Sequence, residues 1–89
     1  MHAVLVRVTI NDPEQATKRL HEEVVPQVRQ APGLVAGYWV RLDGNQGRSI
    51  VVFESEEAAS AAADQVRAMP SSESVTIDSV DVHEVVAHT

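Results

Sequence analysis

The sequence predicts an α+β fold, in which a four-stranded antiparallel sheet carries two helices on one face. Two observations lead to this prediction. In some segments apolar residues recur at every second position, as in strands, and in others they recur every three to four positions, as in amphipathic helices. These segments follow one another in the order β-α-β-β-α-β. In addition, the strands expected at residues 34–42 and 48–54 are apolar on both faces, which is typical of a sheet that is covered on both sides.

Composition limits the size of the fold and the class of its partners. The 89 residues are enough for one domain, which we expect to span residues 1–89. Aromatic residues make up 3% of the chain, so the core is expected to consist of Val, Ile, Leu and Ala. The net charge of −6 and the scattered basic residues argue against binding to nucleic acid.

Residue types and segments that the sequence lacks exclude several kinds of site. The chain contains no cysteine, which excludes disulfides, thiolate metal sites and a cysteine nucleophile. No two histidines have the spacing of metal ligands, so no metal site is expected. Because no signal peptide and no membrane-spanning segment is recognisable, we expect a cytoplasmic protein without a membrane partner.

The first half of the chain reads as a strand followed by a helix. Residues 3–10 are rich in β-branched side chains and form the first expected strand. Asp12 suits the N-cap of the helix that follows, and Pro13 suits its first turn. The helix is expected to run to about Gln30. We expect a kink near Pro26, because proline lacks an N–H and crowds the carbonyl four residues before it.

The second half begins with a hairpin. Residues 43–47 contain two glycines and are expected to form the loop between the second and third strands. Ser55 is placed to cap a second helix, whose apolar face is mostly alanine and which is expected to end at residues 70–72. The last strand is expected within residues 75–87. Its apolar residues change phase at residues 78–79, which predicts a bulge or break there.

This order of elements is typical of the ferredoxin-like architecture. Its two helices cover one face of the sheet and leave the other face bare. Since the strands at residues 34–42 and 48–54 are apolar on that face as well, a second copy of the chain is the expected cover. The sequence therefore predicts a homodimer.

The run QAPGLVAGYWVRLDGNQGRSIVVFESEEAA, at residues 30–59, carries a resemblance to a known family. A Pro-Gly step ends the first helix, and a strand, a hairpin and a strand ending in Phe-Glu-Ser lead into an Ala/Glu-rich helix. In this the chain resembles the dimeric α/β-barrel superfamily, and most of all its antibiotic-biosynthesis-monooxygenase-like (ABM) group. The resemblance implies that two sheets pack face to face into a dimeric α/β barrel.

The resemblance also implies a function. It suggests a cofactor-independent monooxygenase or a binder of a small aromatic, quinol-like ligand; the alternative is a non-catalytic dimeric module of unknown function. The haem-degrading members of the family place an Asn on the first strand and a Trp and a His on the second helix. Here Asn11 follows the first strand, and the second helix has neither a Trp nor a His. No haem or other cofactor is therefore expected.

Four residues are the candidates for a site. A cofactor-free oxygenase must deprotonate and position a substrate that itself reacts with oxygen, and His83 is the candidate base because histidine changes its charge near neutral pH. Tyr38, Trp39 and Arg41 are the candidate ligand-binding residues, since an indole stacks on aromatic groups and a guanidinium holds anions. The alternative interpretation is an ordinary strand or interface role, because Trp and Arg are enriched at interfaces.

Arg7 stands out because it interrupts an apolar strand. A charge among apolar neighbours is costly unless an opposite charge pairs with it. Glu54 and Asp78 are the expected acidic partners, in a ligand site or in a structural ion pair.

Overall fold

The computed structural model describes residues 1–69 and 73–89. The elements follow the predicted order, and the predicted end of the second helix at residues 70–72 lies outside the described residues. The elements are β1 (His2–Ile10), a helix α1 in three consecutive parts (Pro13–Arg19, Leu20–Val24 and Val25–Arg29), β2 (Leu34–Leu42), β3 (Gln46–Phe53), α2 (Glu56–Ala68) and β4 (Val75–Glu84).

The strands form one antiparallel sheet in the order β2-β3-β1-β4. This confirms the ferredoxin-like α+β fold, in which each helix connects two strands that are not neighbours. Directly paired residues of antiparallel strands point to the same face of the sheet. Val4 pairs with Val51 on β3 and with Val82 on β4, so these three side chains share a face.

That face, here called the helix face, holds the core. Val4 and Val51 form one cluster with Phe53 of β3 and with Ala59 and Ala63 of α2. The alanines let α2 lie close to the sheet, and both are fully buried. The opposite face of the sheet is here called the open face, and no helix of residues 1–69 and 73–89 packs on it.

Helix α1 starts as predicted and is irregular before its proline. The Asp12 side chain accepts a hydrogen bond from the backbone N–H of Gln15 at 3.2 Å. In the π-helical middle part, the N–H of Val25 donates to the carbonyl of Leu20, five residues earlier. This wider turn precedes Pro26, which has no N–H to continue the α-helical pattern. None of the residues of α1 is buried.

The predicted bulge on β4 is confirmed. Arg7 pairs with Ser79, but the next residue of β1, Val8, pairs with Ile77. Asp78 is therefore the extra residue of the bulge. Because of this shift, apolar residues on both sides of the bulge face the helices. Ile77 before the bulge and Val82 after it both pack against the core.

The hairpin loop is shorter than predicted. It spans residues 43–45, since Gln46 and Gly47 already belong to β3 and pair with Leu42 and Arg41. Gly47 is buried on the helix face, and a Cβ atom there would stand 2.9 Å from Cγ2 of Val8. The glycine thus serves close packing in the sheet rather than the turn. Neither helix in the described residues is long and apolar enough to cross a membrane.

Candidate functional site

Trp39 and Arg41 lie on the helix face of β2. Trp39 pairs with Ser49, and Arg41 pairs with Gly47. The Trp39 indole packs against the core and lies over Gly37, where a Cβ atom would stand 3.1 Å from Trp39 Cη2. Arg41 is exposed near the end of the strand.

Tyr38 and His83 lie on the open face. Tyr38 pairs with Ile50, and its side chain is 61% exposed. His83 pairs with Ala3 and is exposed as well. The sheet therefore separates these two residues from Trp39 and Arg41. The roles predicted for the four residues remain predictions, and within one protomer they do not converge on one pocket.

A cleft lies between the C-terminal end of α1 and the first half of α2, and it is here called the helix cleft. It has a volume of about 220 Å³ and is open to solvent on one side. Phe53 of β3 contributes to an otherwise aliphatic wall, and three glutamine side chains supply the polar groups. The lining residues are Gln27, Gln30, Ala31, Pro32, Phe53, Ala58, Ala61, Ala62 and Gln65.

The lining of the helix cleft determines what it can bind. A primary amide donates and accepts hydrogen bonds without carrying charge. Among the described residues, none that lines the cleft has a titratable side chain, so this lining offers no group that could take a proton from a bound molecule. This environment suits a small neutral ligand with an apolar body and a few polar substituents.

Sequence reasoning missed the glutamines of this cleft. Gln27, Gln30 and Gln65 carry no local signal, because glutamine is common on the solvent-facing side of any helix. The alanine-rich face of α2 is the only signal in the sequence, since small side chains leave space next to a helix. That signal does not say which residues line the space.

A second cleft, here called the β4 cleft, lies between the C-terminal end of α2 and β4. It encloses about 340 Å³. Arg67 crosses it and donates to the carbonyl of Val80 at 3.0 Å, while its other terminal nitrogen pairs with Asp64 at 3.3 Å. Asp78 accepts a hydrogen bond from Thr9 Oγ1 at 2.7 Å. Both charged side chains of this cleft are thus engaged within the protomer.

His2 is the other residue to which the sequence did not point, because residues near the ends of a chain are commonly disordered. It belongs to β1, and its Nε2 atom lies 3.6 Å from Oε2 of Glu56, the first residue of α2. Its Nδ1 atom is buried without a hydrogen-bond partner in the described part of the chain. Within residues 1–69 and 73–89, no three metal-ligating side chains come together.

The open face exposes large apolar side chains. Tyr38, Val40 and Leu42 of β2 lie on it next to Ile50 of β3, and each of the four is exposed by more than a third. Monomeric soluble proteins rarely expose a contiguous apolar surface of more than a few hundred Å². The apolar character predicted for both faces of these strands is therefore present in the folded chain.

Arg7 and Arg48 lie within this apolar surface as cross-strand partners. The expected pairing of Arg7 with Glu54 or Asp78 is wrong: Asp78 is held by Thr9, and Arg7 forms no ion pair within the described residues. The reason is that the bulge on β4 directs Asp78 to the neighbouring Thr9.

Comparison with known proteins agrees with this geometry. No family model and no curated protein matches the chain. The crystal structure of HapK from Hahella chejuensis superposes with a TM-score of 0.70 at 14% identity, over 100% of this chain and 96% of that one. A mutant of MhuD, crystallised with two manganese protoporphyrin IX molecules per active site, superposes with a TM-score of 0.68 at 19% identity, over 100% and 98%.

The chain shares the fold of these two proteins over its whole length. This confirms the resemblance found in residues 30–59 at the level of the fold. The porphyrin of MhuD occupies an active site of that protein.

The two clefts of this chain do not fit haem. Haem iron is held by imidazole, thiolate, thioether or phenolate side chains, and none of these lines the helix cleft. Of the described residues that line the β4 cleft, only Met69 has such a group, a thioether, and its side chain is 45% exposed.

Proposed function

We propose that this chain forms a homodimeric α/β barrel that binds a small, neutral, largely apolar aromatic ligand in the helix cleft. The observation that carries this proposal is the lining of the cleft, where aliphatic and aromatic carbon surrounds three uncharged amides. Burying apolar ligand surface contributes about 25 cal/mol per Å². The amides would fix the orientation of hydroxyl or carbonyl substituents.

The open face supports the homodimer. Packing two open faces together would bury Tyr38, Val40 and Ile50 from each copy, which are 61%, 46% and 39% exposed in the protomer. Most soluble homo-oligomers are closed by a twofold axis, which buries the same surface of both subunits. Two sheets packed face to face form an apolar layer about 10 Å thick.

Monooxygenase chemistry would require a base that the helix cleft does not provide. A quinol must lose a proton before it reacts with oxygen without a cofactor, and no residue that lines the cleft titrates. His83, the candidate base, lies on the open face. This favours binding over oxygenation, and it keeps the non-catalytic dimeric module as the second candidate.

A thermal-shift experiment tests the proposal with anthrone and 1,4-naphthalenediol as probes. A ligand that binds only the folded state at one hundred times its Kd stabilises a protein by about 2.7 kcal/mol. For a domain of this size, that corresponds to an increase in Tm on the order of 10 °C. Oxygen consumption is recorded in the same samples to distinguish binding from oxygenation.

Two variants locate the binding site. Ala61→Phe places a ring in the helix cleft from an exposed position of α2, and Ala68→Phe places the same ring at the exposed end of that helix. The first variant is expected to abolish the increase in Tm and the second to retain it. An equal response of both variants, or no response of the wild type to either probe, would contradict the proposal.

A further inference from the structure

Cross-strand pairing arranges the open face in rows, and two neighbouring rows hold charges at its centre. The first row consists of Tyr38, Ile50, Leu5 and Asp81, and the second of Val40, Arg48, Arg7 and Ser79. Two cations thus lie side by side on β1 and β3, and one anion lies on β4, in the row next to theirs.

These charges are not compensated within the protomer. Like charges directly opposite each other on paired strands are destabilising. The guanidinium of Arg48 donates to the carbonyl of Gly47 at 2.8 Å and to Oε1 of Gln46 at 3.4 Å, and neither acceptor is charged. Among the described residues, neither Arg7 nor Asp81 takes part in an ion pair.

If the open face becomes an interface, the orientation of the second copy decides whether these charges are matched. A twofold axis parallel to the strands, between β3 and β1, would place Arg7 over Arg48 of the partner subunit. A twofold axis across the strands, between the two rows, would place both arginines over the partner's apolar residues. The first arrangement would bury both cations without an anion. The second would bring the partner's Asp81 over Ser79, beside Arg7, and would bury Arg48 without an anion, which is strongly unfavourable.

A twofold axis along the diagonal of the sheet gives a different result. Rows are about 6.8 Å apart and strands about 4.8 Å apart. When this axis passes close to Ile50, the strand direction of one sheet lies along the row direction of the other. The strands of the two sheets therefore cross. Asp81 of the partner subunit then falls between Arg7 and Arg48, within about 3 Å of each in projection.

The same operation also matches the apolar residues. It brings Ile50 next to its own copy at the centre of the interface. It carries Tyr38 over the position between Val52 and Ala3 of the partner subunit. Near-perpendicular packing is one of the two common arrangements of stacked sheets.

We infer that the two copies pack with their strands crossed, so that Asp81 of each subunit lies between Arg7 and Arg48 of the other. This inference rests on the proposed homodimer. It adds the relative orientation of the two copies and the residues that pair between them. The two equivalent ion-pair sites fix the register of the interface, which the apolar contacts around them would specify only weakly.

The experiment mixes two charge variants of the full chain. One variant carries Asp81→Lys, and the other carries Arg7→Glu together with Arg48→Glu. Each variant alone places like charges at both sites of its homodimer, so sedimentation velocity at micromolar concentration is expected to show monomers. In a one-to-one mixture both sites hold opposite charges, and a heterodimer is expected with a Kd at least about 30-fold below that of either variant alone.

Asp43→Lys is the matched control, because it makes the same charge change in the exposed hairpin loop. It is expected to keep the wild-type Kd. A dimeric wild type with a dimeric Asp81→Lys variant, or with a mixture that stays monomeric, overturns the crossed pairing and leaves the homodimer standing. A monomeric wild type overturns both.

Asp81→Asn serves if a charge-reversed variant fails to fold, as judged by far-ultraviolet circular dichroism. This substitution removes the charge and keeps the shape of the side chain. We expect it to raise the Kd of the dimer by at least about 10-fold, because it leaves two arginines at the interface without an anion. An unchanged Kd overturns the inference.

Discussion

Arg7 on β1 and Arg48 on β3 lie directly opposite each other on the open face, and neither forms an ion pair in the described part of the protomer. Around them, Tyr38, Val40 and Ile50 expose apolar surface. Two adjacent cations at the centre of an apolar surface are an unfavourable arrangement for an isolated subunit. They become favourable when a second subunit supplies acidic groups.

The centre of the open face should be sensitive to charge. We expect Ile50→Glu to convert the dimer into a monomer in sedimentation velocity, because it would bring two carboxylates, one from each copy, together at the centre of the interface. Met69→Glu is the control, since Met69 is exposed to a similar extent, 45% against 39%, and lies in the β4 cleft. Dissociation of the control, or a stable dimer of Ile50→Glu, would disagree with the proposed interface.

The glutamines of the helix cleft should recognise hydroxyl groups. Gln65→Leu is expected to weaken binding of 1,4-naphthalenediol about 2- to 10-fold in calorimetric titrations, because one hydrogen bond contributes about 0.5–1.5 kcal/mol. Naphthalene, which has the same rings without hydroxyls, serves as the control ligand and should keep or gain affinity. Equal losses of affinity for both ligands would show that the amide does not form hydrogen bonds with the hydroxyl groups.

Several features of the fold could be predicted because they depend on neighbours in the chain. The cap at Asp12 and the bulge at Asp78 follow from local backbone chemistry and from the phase of apolar residues. The π-helical turn stands next to Pro26, where a kink was predicted. The hairpin loop was predicted too long, since the pairing of Gln46 and Gly47 depends on the opposite strand.

The candidate site could be predicted only in part. The two-residue repeat already implies that Tyr38 and Trp39 face opposite sides of β2. Which side the helices cover depends on contacts between β1, β3 and α2, which are distant in sequence. The pairing of His2 with Glu56, at 3.6 Å, likewise depends on the docking of α2 against the start of β1.

Phe53 should carry a large share of the stability of the protomer. It is 2% exposed and joins the sheet core to the helix cleft. Phe53→Ala is expected to lower the free energy of unfolding by about 3–5 kcal/mol in urea titrations at fixed protein concentration. Phe53→Leu, which keeps most of the volume, should lose less than half as much. A loss below about 1 kcal/mol for Phe53→Ala would contradict the role of this ring in the core.

Gly47 should be required by the close approach of Val8. Gly47→Ala is expected to lower the free energy of unfolding by about 1–3 kcal/mol, because the added methyl group would stand 2.9 Å from Val8 Cγ2. Adding Val8→Ala removes that atom, so the double variant should lose less than the sum of the two single losses. Strict additivity in urea unfolding would mean that another contact causes the loss.

The most direct test of the homodimeric barrel is sedimentation equilibrium of the wild-type chain at micromolar concentration. The account predicts a single species with twice the mass of one chain, because the apolar open face needs a cover. A stable, folded monomer under these conditions would contradict it, and the apolar residues on the open face would then require another explanation.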